Sequence, residues 1–208
     1  MARNSNFINN ASEVKLIFNG VEKIENNPVK FKGFNILTIA RFTYQKNMQL
    51  CFEIAKGMIK YTDIRFIWVG DGEDLQELKE RALSEGVNNI DFIGFSSNYF
   101  YYMGGSDIYL TTSRFEGLPY TLLEALSQGL PIISTNVTGN NDCVINGKNG
   151  YLYNNKEEAI NYIISLYNDS QLLKKMSKES IDFFDENFNE KKMIRKTIDV
   201  YRNALASI

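Results

Sequence analysis

Short apolar segments alternate with helical patterns along most of this chain, and this alternation limits the possible folds more than any other feature. Apolar runs at 34–40, 64–69 and 107–111 are each followed by polar turns and then by a helical pattern, and a further apolar run lies at 131–134. Strands that alternate with helices form βαβ units, in which parallel strands are covered by helices on both faces. We therefore predict an α/β fold, a single Rossmann-like domain over residues 1–208.

The remaining elements complete this prediction. Further strands are expected at 14–18, 90–93 and 150–153. Helices are expected at 47–61, 74–85, 98–103, 119–128, 156–167, 171–184 and 190–206, with a polar loop at 137–142. Asp74 suits a helix N-cap, Pro119 a first helical position, and Gly86 and Gly129 the position after a helix.

Composition excludes several classes of protein. The net charge is −2, so no basic stripe favours nucleic acid. Histidine is absent, which excludes Ser-His-Asp hydrolysis and histidine zinc sites within this chain. Cys51 and Cys143 are too few for a disulfide scaffold and are expected as buried thiols in a reducing compartment. No apolar run reaches the ~20 residues of a membrane helix.

Ligands of such sheets bind beyond the carboxyl ends of the strands, so the loops there carry the candidate site. Arg41 follows the strand that ends at Ala40, and Lys46 precedes the next helix. Guanidinium and ammonium groups at that place suit a phosphate. The alternative is a pair of solvated surface cations. After the strand 64–69, Gly70 and Gly72 permit a tight turn and close ligand approach, or form a plain turn.

The segment 113–129 is the strongest candidate. Glu116 and Gly117 lie on the loop before a helix, and Glu124 lies inside that helix among apolar residues. The free N–H groups of a helix start attract anions, and the two carboxylates can accept hydrogen bonds from hydroxyls. A nucleotide-sugar, with phosphates in the middle and hydroxyls at both ends, has the matching form. The alternative is a solvated stripe of Tyr120, Glu124 and Gln128.

Together these segments resemble the group 1 (family 4) glycosyltransferases, which have the two-domain GT-B architecture. The resemblance spans about Lys15 to Asn154. Glu116 and Glu124 match the Glu-x₇-Glu motif of that family, 36–46 is similar to its strand–Gly-Arg–loop–Lys segment, and 66–72 to its strand ending in Gly-x-Gly. The segments 106–110 and 129–134 match those on either side of the Glu-x₇-Glu motif.

The resemblance implies a role for each candidate residue. Arg41 and Lys46 would neutralise the diphosphate of the donor as it leaves, and Glu116 would bind hydroxyls of the transferred sugar. Glu124 would bind the ribose.

Backbone groups would hold the rest of the donor, with N–H groups near Gly117 and Leu118 on the phosphate and sugar, and the backbone around Phe95 and Ser96 on the base. Such enzymes transfer sugar from a donor such as a UDP- or GDP-sugar with retention of configuration, and use neither cofactor nor bound metal. Catalysis is then mostly positioning and charge stabilisation.

The sequence departs from the family pattern in three respects. Ala40 stands where glycine is usual before Arg41, and Asp142 stands where glutamate is common, so Asp142 receives no role. We expect the N-terminal acceptor-binding domain to lie outside this sequence, and residues 1–30 to lie next to its hinge. An excised domain is favoured over a separate natural half.

The expected partners are therefore the nucleotide-sugar, the N-terminal GT-B domain and a saccharide or lipid-linked acceptor, in the cytoplasm, with membrane association only through the absent half. Two alternatives stay open: an epimerase similar to UDP-N-acetylglucosamine 2-epimerase, and a non-catalytic nucleotide-sugar-binding module.

Overall fold

A computed structural model describes residues 14–24 and 30–206, and they form one parallel sheet flanked by helices. The strands are β1 (Phe34–Ile39), β2 (Ile64–Val69), β3 (Ile90–Gly94), β4 (Ile108–Thr111), β5 (Ile132–Thr135) and β6 (Gly150–Tyr153). Their order is β3-β2-β1-β4-β5-β6, and every neighbouring pair is parallel. The chain order reverses between β1 and β4, the topological switch point of a Rossmann-like sheet.

Helices connect these strands and continue after the last one. They are α1 (Met48–Gly57), α2 (Leu75–Ser84), α3 (Tyr99–Gly105), α4 (Tyr120–Ser127), α5 (Asn140–Cys143), α6 (Lys156–Asn168), α7 (Ser170–Asn187) and α8 (Glu190–Ala206). Gly86 and Gly129 follow α2 and α4 with φ of +68° and +75°, as predicted for the position after a helix. No helix in the described part of the chain has the length and apolar character to cross a membrane.

The strands bury both of their faces, and each face has its own core. Successive strand residues alternate between the cores: Ile36 and Trp68 pack on the side of α1, α2 and α6, whereas Leu37 and Val69 pack on the side of α3 and α4. Burial on both faces explains the nearly continuous apolar runs. The prediction of an α/β domain with helices on both faces is confirmed.

The ends of β1 and β4 separate beyond two paired positions, Ile36 with Ile108 and Leu37 with Tyr109. Beyond these positions, hydrogen bonds from side-chain hydroxyls take the place of the backbone hydrogen bonds between the two strands. Thr38 Oγ1 donates to Leu110 O (2.9 Å), while the buried Tyr109 hydroxyl donates to Ile39 O (2.9 Å) and accepts from Ile39 N (3.2 Å). Tyr109 therefore holds a crevice open at the switch point and satisfies the backbone polar groups there.

We expect Tyr109→Phe to lower the free energy of unfolding by about 1–3 kcal/mol, because the N–H and C=O of Ile39 lose their partner inside the protein. Urea unfolding checks this, with Tyr201→Phe, a 66% exposed tyrosine, as the control that should change nothing. Equal stability of the two variants would contradict the spacer role of Tyr109.

Three local predictions are wrong. Residues 14–18 form no strand. The ring of Phe18 lies 5.6 Å from that of Phe188, the residue directly after α7, and Val21 N, a little further along the chain, donates to Phe188 O (2.9 Å). The second half of the predicted loop 137–142 belongs to the short helix α5, which ends at Cys143. Pro119 has ψ of 116° and is the N-cap of α4, so the helix begins one residue later than predicted.

Two further predictions concern single side chains. Asp74 stands at the N-cap of α2, but its side chain makes no capping bond; its N–H donates to Phe42 O (3.2 Å) instead. Cys51 and Cys143 are buried and free, as expected. Burial raises the pKa of the Cys51 thiol to about 12, so it stays protonated and unreactive.

Candidate functional site

A cavity of about 540 Å³ lies at the carboxyl ends of β1 and β2, bounded by the loop after β3 and the start of α4. Most of the residues predicted for the site line it: Arg41, Lys46, Gly70, Phe95, Ser96 and Glu124. They come from four separate segments of the chain, which the strand order brings together at the switch point.

The other four predicted residues do not line this cavity. Glu116 turns toward Lys46, and Gly72 packs against the backbone of Phe42. Gly117 is exposed with open space around it, and the side chain of Leu118 packs against the core beneath α4. These residues surround the cavity on the side of the loop before α4.

Gly70 and Gly72 let two strand-end loops pass each other closely. Their φ angles are +135° and +154°, and a Cβ on either would collide with the backbone of Ala40 or Phe42. Backbone bonds join the same loops, from Ala40 N to Val69 O (3.0 Å) and from Phe42 N to Asp71 O (2.9 Å). The two glycines thus have a packing role that places Arg41 at the cavity.

Lys46 and Glu116 form a salt bridge, with 2.6 Å between Nζ and Oε1. Ser113 Oγ donates to the same oxygen (2.7 Å), and Gln45 Nε2 lies 3.5 Å from Oε2. The Glu116 side chain is only 7% exposed and that of Lys46 23%. The two charges compensate each other in a largely desolvated position, which holds the ammonium group of Lys46 at the cavity wall.

Other lining residues offer hydrogen-bond donors whose charge is not compensated in this way. Arg41 is exposed and pairs with no carboxylate among the residues that the structure describes. Tyr120 and Thr121, the first residues of α4, also line the cavity. A helix start presents free N–H groups and the positive end of the helix dipole, so this wall favours a negative group.

Glu124 lies half-buried in the cavity wall and accepts a hydrogen bond from the Tyr99 hydroxyl (3.0 Å). Burial raises the pKa of the Glu124 carboxyl, and the bond from Tyr99 opposes that rise. Burial and the nearby carboxylate raise the pKa of Tyr99 to about 12. Tyr99 is therefore the donor and Glu124 the acceptor, which leaves the second carboxylate oxygen available to a ligand hydroxyl.

Several residues of this site were not among those predicted from the sequence. Tyr99 stands in an aromatic run that looked like an ordinary helix, and nothing in its spacing indicates a contact with a carboxylate 25 positions away. Tyr120 and Thr121 could have been predicted, because they are the first residues of the helix whose start the sequence indicates as an anion site. Asp142 lies exposed on α5 and receives no role from its position.

Within residues 14–24 and 30–206, no three histidine, cysteine, aspartate or glutamate side chains cluster as metal ligands would.

Comparison with known proteins places this chain in a family. The family model for the group 1 glycosyl transferases matches residues 21–183. An Escherichia coli relative, a UDP-Gal:alpha-D-GlcNAc-diphosphoundecaprenol alpha-1,3-galactosyltransferase, is 31% identical over 180 residues, which are 83% of this chain and 46% of that protein. The chain therefore spans less than half of this relative.

Solved structures share the fold. A mutant of S. aureus TarM, in complex with fondaparinux, alpha-GlcNAc-glycerol and UDP, superposes with a TM-score of 0.81 at 19% identity, over 89% of this chain and 38% of that one. The C-terminal domain of a group 1 glycosyl transferase from Francisella tularensis, LpcC, gives 0.71 at 24% identity, over 82% of this chain and 99% of that one. The resemblance and the fold class are confirmed: this chain belongs to the group 1 glycosyl transferases and has the fold of a C-terminal GT-B domain.

Proposed function

We propose that this domain binds the nucleotide-diphospho-sugar donor of a retaining glycosyltransferase. The observation that carries the proposal is one cavity lined by two cations, a helix start and the carboxylate of Glu124, of which one oxygen accepts no hydrogen bond from residues 14–24 and 30–206. A nucleotide-diphospho-sugar offers the complement, a doubly charged diphosphate in the middle with ribose hydroxyls beside it. The UDP in the TarM complex and the UDP-sugar in the name of the E. coli relative support uridine as the base to test first.

Each group that lines the cavity then contacts a particular part of the donor. Arg41 and Lys46 contact the diphosphate together with the N–H groups at the start of α4. Glu124 accepts from the ribose, and the loop of Phe95 and Ser96 holds the base.

The sugar extends toward Glu116, Gly117 and Leu118, which surround the cavity on that side. The bond between the sugar and the diphosphate breaks during transfer, so negative charge grows on the departing phosphate oxygen. Arg41 and Lys46 are placed to stabilise that charge before it forms, which lowers the barrier without any movement of the cations.

The acceptor, a saccharide or a lipid-linked saccharide, would bind to a part of the protein outside this domain and enter the cavity from the open side. Closure around both substrates would exclude water and so favour transfer over hydrolysis of the donor. Transfer requires an acceptor, whereas the epimerisation alternative does not, so an assay of the whole protein with and without acceptor separates them. Membership of the glycosyl transferase family favours transfer.

A thermal-shift screen with UDP, GDP, ADP and their sugar conjugates tests donor binding. A ligand at 100 times its dissociation constant should stabilise the folded domain by about 2.7 kcal/mol. Stabilisation by one nucleoside diphosphate and its sugar conjugates is expected. If no nucleotide changes the unfolding temperature at millimolar concentration, the proposal is wrong.

Gly117 offers a test that leaves the fold intact. A Cβ there would meet no atom within 4 Å, and the φ of Gly117 is not positive, so Gly117→Ala should unfold like the wild type. The added methyl group would stand where the sugar phosphate approaches the backbone. We expect affinity for UDP-glucose, measured by calorimetry, to fall about tenfold or more, as for the loss of a charge-assisted hydrogen bond.

The matched variant is Gly139→Ala on the neighbouring loop. Gly139 has φ of +87°, and its Cβ would approach the carbonyl carbon of Gly117 to 2.7 Å. This substitution should lower stability by more than about 1 kcal/mol. Loss of stability in Gly117→Ala, or unchanged affinity in that variant, would contradict the assignment of Gly117 to ligand approach.

A further inference from the structure

Two loops at the switch point are bound to each other by hydrogen bonds. The loop 41–47 follows β1 and carries Lys46, and the loop 112–117 follows β4 and carries Glu116. Thr112 Oγ1 donates to Lys46 O (2.9 Å), and Gln45 Nε2 donates to Phe115 O (3.1 Å). The position of Lys46 therefore depends on the second loop as well as on its own.

Arg114 makes the largest share of these contacts. Its backbone N–H donates to Gln45 O (2.8 Å), Nε donates to Tyr44 O (3.2 Å), and Nη2 donates to Asn47 Oδ1 (3.0 Å). The guanidinium carbon also lies 4.5 Å from the centre of the Tyr44 ring. One side chain thus holds the residues on both sides of Lys46, and only a planar fork of donors meets acceptors so arranged.

Asn47, which accepts a hydrogen bond from the Arg114 guanidinium group, has an unusual backbone conformation. With φ of 52° and ψ of 50°, it is the one residue other than glycine with positive φ in the described ranges 14–24 and 30–206. It stands at the N-cap of α1, yet its side chain makes no capping bond and accepts from Arg114 instead. A left-handed residue persists where its surroundings hold it, and here that turn sets the direction in which the adjacent Lys46 leaves the backbone.

We infer that Arg114 is a positioning residue, which acts through Asn47 and Tyr44 to hold Lys46 at the diphosphate subsite. The inference rests on the proposed binding of a nucleoside diphosphate. Arg114 does not line the cavity, so its effect on a ligand passes through Lys46. The salt bridge to Glu116 then keeps the ammonium group directed at the cavity while the site is empty.

The test compares UDP with uridine in Arg114→Met, which keeps the aliphatic stem and removes the donors. UDP affinity should fall about three- to thirtyfold, as for a residue coupled within one hydrogen-bond network, while uridine affinity stays within about twofold. Arg114→Lys keeps the charge without the fork and should lose nearly as much UDP affinity as Arg114→Met. Full recovery in Arg114→Lys would mean that charge alone matters and would overturn the inference.

A second background separates positioning from direct contact. In Lys46→Met, the further change Arg114→Met should have no additional effect on UDP affinity, because the group that it positions is already gone. An equal loss in both backgrounds would overturn the inference, as would wild-type UDP affinity in any folded Arg114 variant. If the wild type binds UDP and GDP no better than uridine, the proposed function fails first and the inference fails with it.

Discussion

Glu124→Ala should weaken the binding of UDP roughly ten- to a hundredfold at neutral pH. The variant removes the carboxylate that the Tyr99 hydroxyl orients at 3.0 Å, and with it a charge-assisted bond to ribose worth about 1.5–3 kcal/mol. Calorimetry with UDP measures the effect. Glu80→Ala, which removes an exposed carboxylate on α2, is the control that should leave UDP affinity unchanged.

Glu124→Gln tests the role of this carboxylate in a second way, through the dependence of the free energy of unfolding on pH. Burial raises the pKa of Glu124 in the folded state, so the folded state holds the proton more tightly than the unfolded chain does. The ionised carboxylate therefore carries a penalty in the folded state that is absent below the ordinary glutamate pKa and fully present above the raised one. Glutamine keeps an acceptor for Tyr99 without this penalty.

The free energy of unfolding of Glu124→Gln should thus exceed that of the wild type by an amount that grows as pH rises through this range, while its UDP affinity falls. Urea unfolding at several pH values and calorimetry provide the two measurements. A pH-independent difference in stability would contradict the burial argument. Unchanged UDP affinity in both Glu124 variants would remove this residue from the site.

Lys46→Met should have two effects, a loss of UDP affinity and a loss of stability. The affinity falls because the diphosphate loses a cation, about ten- to a hundredfold for one charge-assisted contact. Stability falls by about 1–3 kcal/mol because Glu116, whose side chain is 7% exposed, keeps its charge without its partner. Uridine, which has no phosphate, should bind almost as it does to the wild type.

The double variant Lys46→Met/Glu116→Gln separates the two effects. It removes both charges, and the glutamine oxygen can still accept from Ser113, which lies 2.7 Å from the carboxylate. Stability should recover most of the loss, whereas UDP affinity should stay low. Recovery of UDP affinity together with stability would show that Lys46 acts only as a structural partner of Glu116.

The general architecture and the place of the site were predictable from the sequence because they depend on patterns. Alternating strands and helices specified the parallel sheet. The rule for strand ends pointed to Arg41 and Gly70, and the segment 113–129 pointed to Glu124; all three line one cavity. The prediction of a strand at 14–18 was wrong because an apolar run does not indicate which other segment it will pack against. In the structure Phe18 packs against Phe188, directly after α7, and the stretch forms no part of the sheet.

Side-chain pairing was not predictable in the same way. The sequence places Glu116 seventy positions from Lys46, and the resemblance assigned Glu116 to sugar hydroxyls and Lys46 to phosphate as separate tasks. In the structure they form one salt bridge, so truncation of Glu116 would also release Lys46. Such contacts arise where two loops converge after folding, and no local spacing encodes them.

A crystal structure of the chain with UDP at saturating concentration tests the central claim most directly. The account predicts density for the diphosphate against Arg41, Lys46 and the first residues of α4, with the ribose hydroxyls at Glu124. Density for UDP at another surface, or a diphosphate turned away from both cations while calorimetry shows binding, would contradict it.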